Sequence, residues 1–199
     1  MGWNGLAKRL EGRIIVLEPL TQEHERELYA AAQDPQIWRW MSYNAVESAE
    51  TFQGWFGDAL RATKAGDEAV FVVRSKQSGE LIGSTRYMTL RPEHQGLEIG
   101  WSWLVPSAWG SGANAEAKFL LLEHAFDRLG CIRVEFKTDA RNERARLALE
   151  AIPARFEGIF RSHMLVRGGE RRNSAFYSVT DDDWPVVRTL LERRINAKS

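Results

Sequence analysis

Leu104-Val105-Pro106-Ser107-Ala108-Trp109-Gly110-Ser111-Gly112-Ala113-Asn114 is the stretch on which the reading of this chain turns. An apolar strand, Leu97–Val105 (LEIGWSWLV), stops at Pro106. A turn with two glycines follows, and a long apolar helix, Asn114–Leu129, begins at once and ends at Gly130. Backbone N–H groups at a helix start lack intrahelical partners and lie at the positive end of the helix dipole, an arrangement that binds phosphate. Glycine lets those amides approach a ligand closely, because no Cβ intervenes. The turn reads either as a tight connection or as a phosphate cradle. A dinucleotide fingerprint would place a third glycine three residues on, and position 115 is alanine.

Outward from this turn, punctuation residues divide the chain. Gly12–Glu18 is β-branched and closed by Pro19, a first strand. Thr21 caps a helix to about Gln33, stopped by Asp34-Pro35. Ser48 caps another, whose Phe52, Trp55, Phe56, Ala59 and Leu60 form one apolar stripe. Ala69–Lys76 and Leu81–Leu90 flank Gln77-Ser78-Gly79-Glu80 as a hairpin. Cys131–Thr138 is a strand, and Asn142–Ile152 a shorter helix ended by Pro153. Strands at 155–166 and 173–179 turn at Gly168-Gly169, and Asp183-Trp184-Pro185 opens a final helix. The order β-α-α-β-β-β-α-β-α-β-β-α mixes hairpins with strand–helix–strand crossovers, which predicts an α/β domain with a mixed sheet. No repeat or Pro/Gly/Ser-rich linker interrupts it, so one domain is expected over 1–199.

Composition narrows the function. The 199 residues carry 27 basic and 27 acidic groups, a net charge of zero that speaks against general nucleic-acid binding. Eight tryptophans and nine phenylalanines argue for a packed core rather than disorder. Cys131, the lone cysteine, reads as a buried small hydrophobe and fits a reducing cytoplasm. No run reaches the ~20 apolar residues of a membrane span, and Met1–Leu10 lacks a secretory apolar core. His24, His94, His124 and His163 lie in different elements without ligand spacing, so no metal is expected. Eight arginines fall within 141–172 against four glutamates: a solvated face, or a site for a phosphate-bearing ligand.

The glycine turn does not stand alone. Glu98-Ile99-Gly100-Trp101 precedes it, Trp109-Gly110-Ser111-Gly112-Ala113-Asn114-Ala115-Glu116-Ala117 runs through it, and Thr138-Asp139-Ala140-Arg141-Asn142 and Phe156-Glu157-Gly158 with Arg161 follow. In this ordered series the chain resembles the GNAT superfamily of N-acetyltransferases, and within it the RimJ/RimL-like protein N-terminal acetyltransferases. The resemblance implies an acetyl-CoA site between splayed central strands. Main chain of Leu104 and Val105 would pair with the pantetheine arm, amides of Ala108, Trp109, Gly110, Ser111, Gly112 and Ala113 would cradle the pyrophosphate, and Asn142 would bond the pantetheine. Asn142 reads equally as the N-cap of its own helix. Arg141, Arg144 and Arg146 are candidates for the adenosine phosphates.

By the same resemblance the reaction is direct attack of an amine on the thioester. Glu98 then takes the amine proton through a water, and a backbone N–H near Val105 meets the oxyanion. Trp38, Trp40, Met41 and Tyr43 would wall the acceptor cleft, with Tyr87 and Trp101 completing it. Three positions depart from the family pattern: Ser107 opens the loop, Pro153 stands after the short helix, and Ala145 replaces a serine proposed as proton donor. A thiol of pKa near ~8.5 leaves as thiolate without one. The acidic residues near WRWMSY are only Asp34, Glu47 and Glu50, which suits a peptide α-amino terminus or a small amine better than an aminoglycoside. A GNAT-shaped module that binds acyl-CoA without catalysis is the competing class, and a dinucleotide oxidoreductase is a third. Trp3 and the Phe160–Val179 hairpin suggest a homodimer; no membrane partner is expected.

Overall fold

The computed structural model describes residues 3–197. Its spine is one eight-stranded sheet in the order β1-β2-β3-β4-β5-β6-β8-β7. The strands are β1 (Leu10–Glu11), β2 (Ile15–Pro19), β3 (Ala69–Ser75), β4 (Leu81–Arg91), β5 (Gly96–Leu104), β6 (Arg133–Asp139), β7 (Arg155–Val166) and β8 (Glu170–Thr180). The helices are α1 (Glu25–Ala31), α2 (Pro35–Trp38), α3 (Ala49–Ala65), α4 (Ala113–Glu123), α5 (Glu143–Glu150) and α6 (Trp184–Asn196). Neighbouring strands are antiparallel except β5 and β6, which the α4 crossover makes parallel. The mixed α/β sheet expected from the sequence is present.

Strand β3 explains the layering. Its run AVFVV is continuous because both faces are covered. Phe71 and Val73 point into a core shared with α4 and α6, through Leu121, Leu122, Val187 and Leu191; Val70 and Val72 point into a second core shared with α1–α3, through Leu28, Trp38, Phe52 and Phe56. The strands contributing to that second core are β3, β4 and β5 only. On this face β6–β8 carry no helix among the described residues.

Several boundaries differ from the sequence expectation, each for a local reason. The segment after Thr21 begins as a 3₁₀ turn, Gln22–His24, and α1 ends at Ala31. Asp34-Pro35 does more than stop it: the Asp34 carboxylate accepts from the Gln36 N–H at 2.9 Å and opens α2, with Pro35 in the first turn. The long central helix is α-helical only to Glu123 and closes with a wider π turn over His124–Arg128. Cys131 and Ile132 precede β6, because their N–H groups go to Ala125 and Gln95 carbonyls instead of a ladder. The Cys131 thiol is buried, which pushes its pKa up to about 12. Trp3 is partly buried, packed against the first core.

Candidate active site

Two features of β5 open the sheet. The β4–β5 register passes from Arg86↔Gly100 to Ser84↔Trp103, so Trp101 and Ser102 together oppose Thr85. Trp101 takes φ of 48° to do this. A left-handed non-glycine residue costs about 1–2 kcal/mol, and such a bulge bends its strand. Pairing with β6 is then confined to Gly96–Glu98 against Arg133–Glu135. Beyond Glu98 the two strands diverge around a cavity of about 390 Å³, floored by Ala115, Ala117 and Lys118 of α4.

The glycine turn forms one end of that cavity. Gly110 and Gly112 hold φ of 76° and 96°, and nothing lies within 4 Å of where a Gly110 Cβ would stand. Gly112 is the N-cap of α4 and provides no side-chain cap. The Ser111 hydroxyl accepts from the Ala113 N–H at 3.2 Å and donates to the Ala108 carbonyl at 2.7 Å, which fixes the turn from behind. Trp109 donates from Nε1 to the Leu104 carbonyl at 2.9 Å, and the Arg144 guanidinium stacks 3.5 Å from its ring centre. Burial lowers the Arg144 pKa, so this guanidinium is held partly desolvated. Asn142 Oδ1 accepts from the Ala145 N–H at 3.1 Å as N-cap of α5, and the residue also lines the cavity.

Val105 needs correction. Its N–H donates to the Ile82 carbonyl at 2.8 Å, so that N–H is not free for a pantetheine arm or an oxyanion, and its carbonyl already accepts from the Ala108 N–H at 2.9 Å. The Leu104 carbonyl is likewise engaged by Trp109. Leu104, Ala108, Trp109, Gly110 and Gly112 line the cavity; Val105, Ser111 and Ala113 stand behind it.

At the other end Glu98 is buried. Its Oε2 accepts from Lys137 Nζ at 2.9 Å and from the Thr89 hydroxyl at 3.1 Å, leaving Oε1 without a protein partner among the described residues. Trp40, Met41 and Trp101 line the adjoining wall, and Tyr43 packs behind Trp101 with ring centres 5.4 Å apart. The 40–42 segment is tied to the β7–β8 hairpin by Arg167, whose N–H donates to the Ser42 carbonyl and whose guanidinium donates to the Met41 carbonyl, each at 2.8 Å. Trp38 and Tyr87 do not reach the cavity. Trp38 lies in the second core and donates to the Ala32 carbonyl at 2.8 Å. Tyr87 lies in the first core and donates to the Leu121 carbonyl at 2.6 Å, because its place on β4 points it toward α4 rather than the cleft.

The sequence reading missed Lys118. It lines the cavity floor, donates to Ser102 Oγ at 2.7 Å, and through that hydroxyl meets Thr85 Oγ1, also at 2.7 Å. Burial lowers its pKa to about 7. The available signal was a lysine set inside the apolar stripe of α4, three and four residues before Leu121 and Leu122.

An acetyltransferase (GNAT) domain matches residues 15–154, most of the chain and all of the cavity's glycine end. The chain belongs to the GNAT acetyltransferase family. The fold of a GCN5-related N-acetyltransferase from Brucella melitensis superposes with a TM-score of 0.87 at 34% identity, covering 95% of this chain and 86% of that one. Mycobacterium smegmatis RimJ in complex with CoA-disulfide has TM-score 0.81 at 18% identity, over 99% and 97% of the two chains. A ribosomal-protein-S5-alanine acetyltransferase from Vibrio fischeri has TM-score 0.72 at 18% identity, over 88% and 98%. These last two share the fold. No curated protein sequence matches the chain. The chain is thus an N-acetyltransferase, and acetyl-CoA is its acetyl donor. The residues present fit that donor: a helix start whose N-cap is a glycine without a side chain, two glycines with positive φ, and a partly desolvated arginine stacked on Trp109.

Proposed function

We propose that this GNAT enzyme transfers acetyl to the α-amino terminus of a peptide or protein, or to a small primary amine, as a RimJ/RimL-like member of the family. The observation that carries the reading is the cavity's asymmetry: its glycine end suits a pyrophosphate, and its other end sets a single carboxylate, Glu98, among aromatic walls. Bound acetyl-CoA supplies an activated acetyl thioester. Amides around Gly110 and Gly112 hold the phosphates, with Arg144 beside them, and the Asn142 side-chain N–H group orients the pantetheine. Glu98 Oε1, left free by the Lys137 and Thr89 contacts on Oε2, accepts a proton from the attacking amine, directly or through one water. Trp40, Met41 and Trp101 position the acceptor, and Tyr43 supports Trp101. Ala145 provides no donor, so position 145 plays no part in proton transfer.

Charge favours this acceptor over a polycationic aminoglycoside. Glu98 is the one acidic residue lining the cavity among the described residues, against Lys118, Lys137, Arg144, Arg172 and Arg194. Such a lining repels a multiply charged cation. A cytoplasmic location fits the single buried thiol, one domain is proposed over 1–199, and the apolar edge strand β7 supports a homodimer. The test is a panel of amines assayed for thiol release from acetyl-CoA. Turnover of peptides or monoamines above kanamycin-type amines is expected, and the reverse order contradicts the acceptor assignment.

A further inference from the structure

Arg172 on β8 lines the cavity at the acceptor end and is 6% exposed. It lies across the β7–β8 ladder from Met164, within electrostatic reach of Glu98, Asp139 and Arg167. Among the described residues its guanidinium has no hydrogen bond and no carboxylate at ion-pair distance, and its Nε is buried without any partner. Leaving a buried guanidinium unpaired is unfavourable, and burial accordingly lowers its pKa.

The surrounding charges account for one another and leave Arg172 over. Lys137 pairs with Glu98 at 2.9 Å. Arg141 and Arg167 share Asp139 and Glu170 in four contacts of 2.6 to 3.0 Å. Two arginines balance two carboxylates there, and the lysine balances Glu98. His163 bonds Ser174 at 3.0 Å, and burial, with the charges of Lys137 and Arg172, lowers its pKa. Of the cations around Glu98 and Asp139, Arg172 is the one left without a carboxylate, and its side chain lines the cavity, while Lys118, bonded to Ser102, lies on the α4 floor.

We propose that Arg172 is a subsite for a single carboxylate on the acceptor, so that the preferred amines of this enzyme carry a carboxylate close to the reacting nitrogen. This rests on the acceptor reading above. A guanidinium fork matches a carboxylate in bidentate geometry. Phosphates of the donor are not the occupant, because they belong at the glycine turn with Arg144, whereas Arg172 is within electrostatic reach of Glu98. The carboxylate has two sources: the side chain of an N-terminal acidic residue, or the α-carboxylate of a free amino acid.

The experiment compares kcat/KM, referred to the neutral amine, for two matched pairs: Asp-Ala-amide with Asn-Ala-amide, and phenylalanine with phenylalaninamide. The wild type is expected to favour the carboxylate member of at least one pair tenfold or more, and the pair favoured identifies the source. Arg172→Gln is expected to bring that ratio to about one without changing KM for acetyl-CoA, and Arg172→Lys to restore part of it. A wild type that discriminates neither pair, or a preference that survives Arg172→Gln, overturns the proposal. Calorimetric titration of N-acetyl-Asp-Ala-amide and N-acetyl-Asn-Ala-amide gives a second readout that needs no turnover. Arg172-dependent preference for the acidic ligand without acetylation of any amine sustains the subsite and overturns the acceptor reading. Acetylation of amines without discrimination does the opposite.

Discussion

Lys118 and Glu98 face the same cavity with opposite electrostatic histories. Lys118 has a hydroxyl for a partner and no carboxylate, so burial holds its pKa at about 7, against ~10.4 for an unfolded lysine. Below pH 7 both states are charged and the folded protein bears the full cost of burying that charge. Between pH 7 and ~10.4 the cost fades, because only the unfolded chain still holds the proton. Lys118→Met is therefore expected to raise Tm most at pH 6 and progressively less toward pH 10, by thermal denaturation; a difference constant with pH contradicts this. Glu98, held through Oε2 by Lys137, is expected to matter where the amine arrives protonated. Glu98→Gln should lower kcat/KM on the order of 100-fold at pH 6.5 and less than about tenfold at pH 9, with KM for acetyl-CoA unchanged. A pH-independent loss makes the residue structural. Ala145→Ser is expected to change the rate less than about twofold. Glu98 was legible because it precedes the glycine turn in a recognisable order. Arg172 was visible only as one of a run of arginines, since its solitude depends on which carboxylates the fold gives to its neighbours. Trp38 and Tyr87 were misread because aromatic rings mark cores as readily as clefts, and only the strand and helix faces decide between them.

Among the elements, the β5–turn–α4 unit was read almost as it stands, since proline stops the strand and glycines shape the turn. What sequence did not disclose is the bulge at Trp101–Ser102, a register event set by pairing with β4 and not by local propensity. The two-residue strand β1 and the four-residue helix α2 are too short for periodicity to mark. The turn itself is tested by Gly110→Val. At φ of 76° a β-branched residue is strained, by about 1–2 kcal/mol. A drop in Tm of several degrees is expected, together with loss of most of the Tm rise that acetyl-CoA gives the wild type. A variant that keeps the full ligand-induced rise removes the turn from the donor site.

For the molecule as a whole, the β6–β8 part of the sheet has one face without a helix among the described residues, and the sheet ends in the edge strand β7. There Phe160 and Leu165 are 55% and 72% exposed, on a strand with no outer neighbour. Light scattering is expected to give twice the 22.7 kDa of one chain, and Leu165→Glu to return it to one; a monomer across micromolar concentrations contradicts the pairing. Net charge zero spoke against general nucleic-acid binding, but the local excess of cations lining the cavity became apparent only when residues from β6, α4, α5, β8 and α6 met around it. The central claim is direct acetyl transfer to an amine within that cavity. It is tested most directly by intact-mass spectrometry of protein and amine alongside thiol release from acetyl-CoA. The account predicts one acetylated amine for each thiol released, with thiol release dependent on the amine and no acetyl group retained on the protein. Thiol release indifferent to the amine, or an acetylated protein that passes its acetyl group on when amine is added, would contradict it.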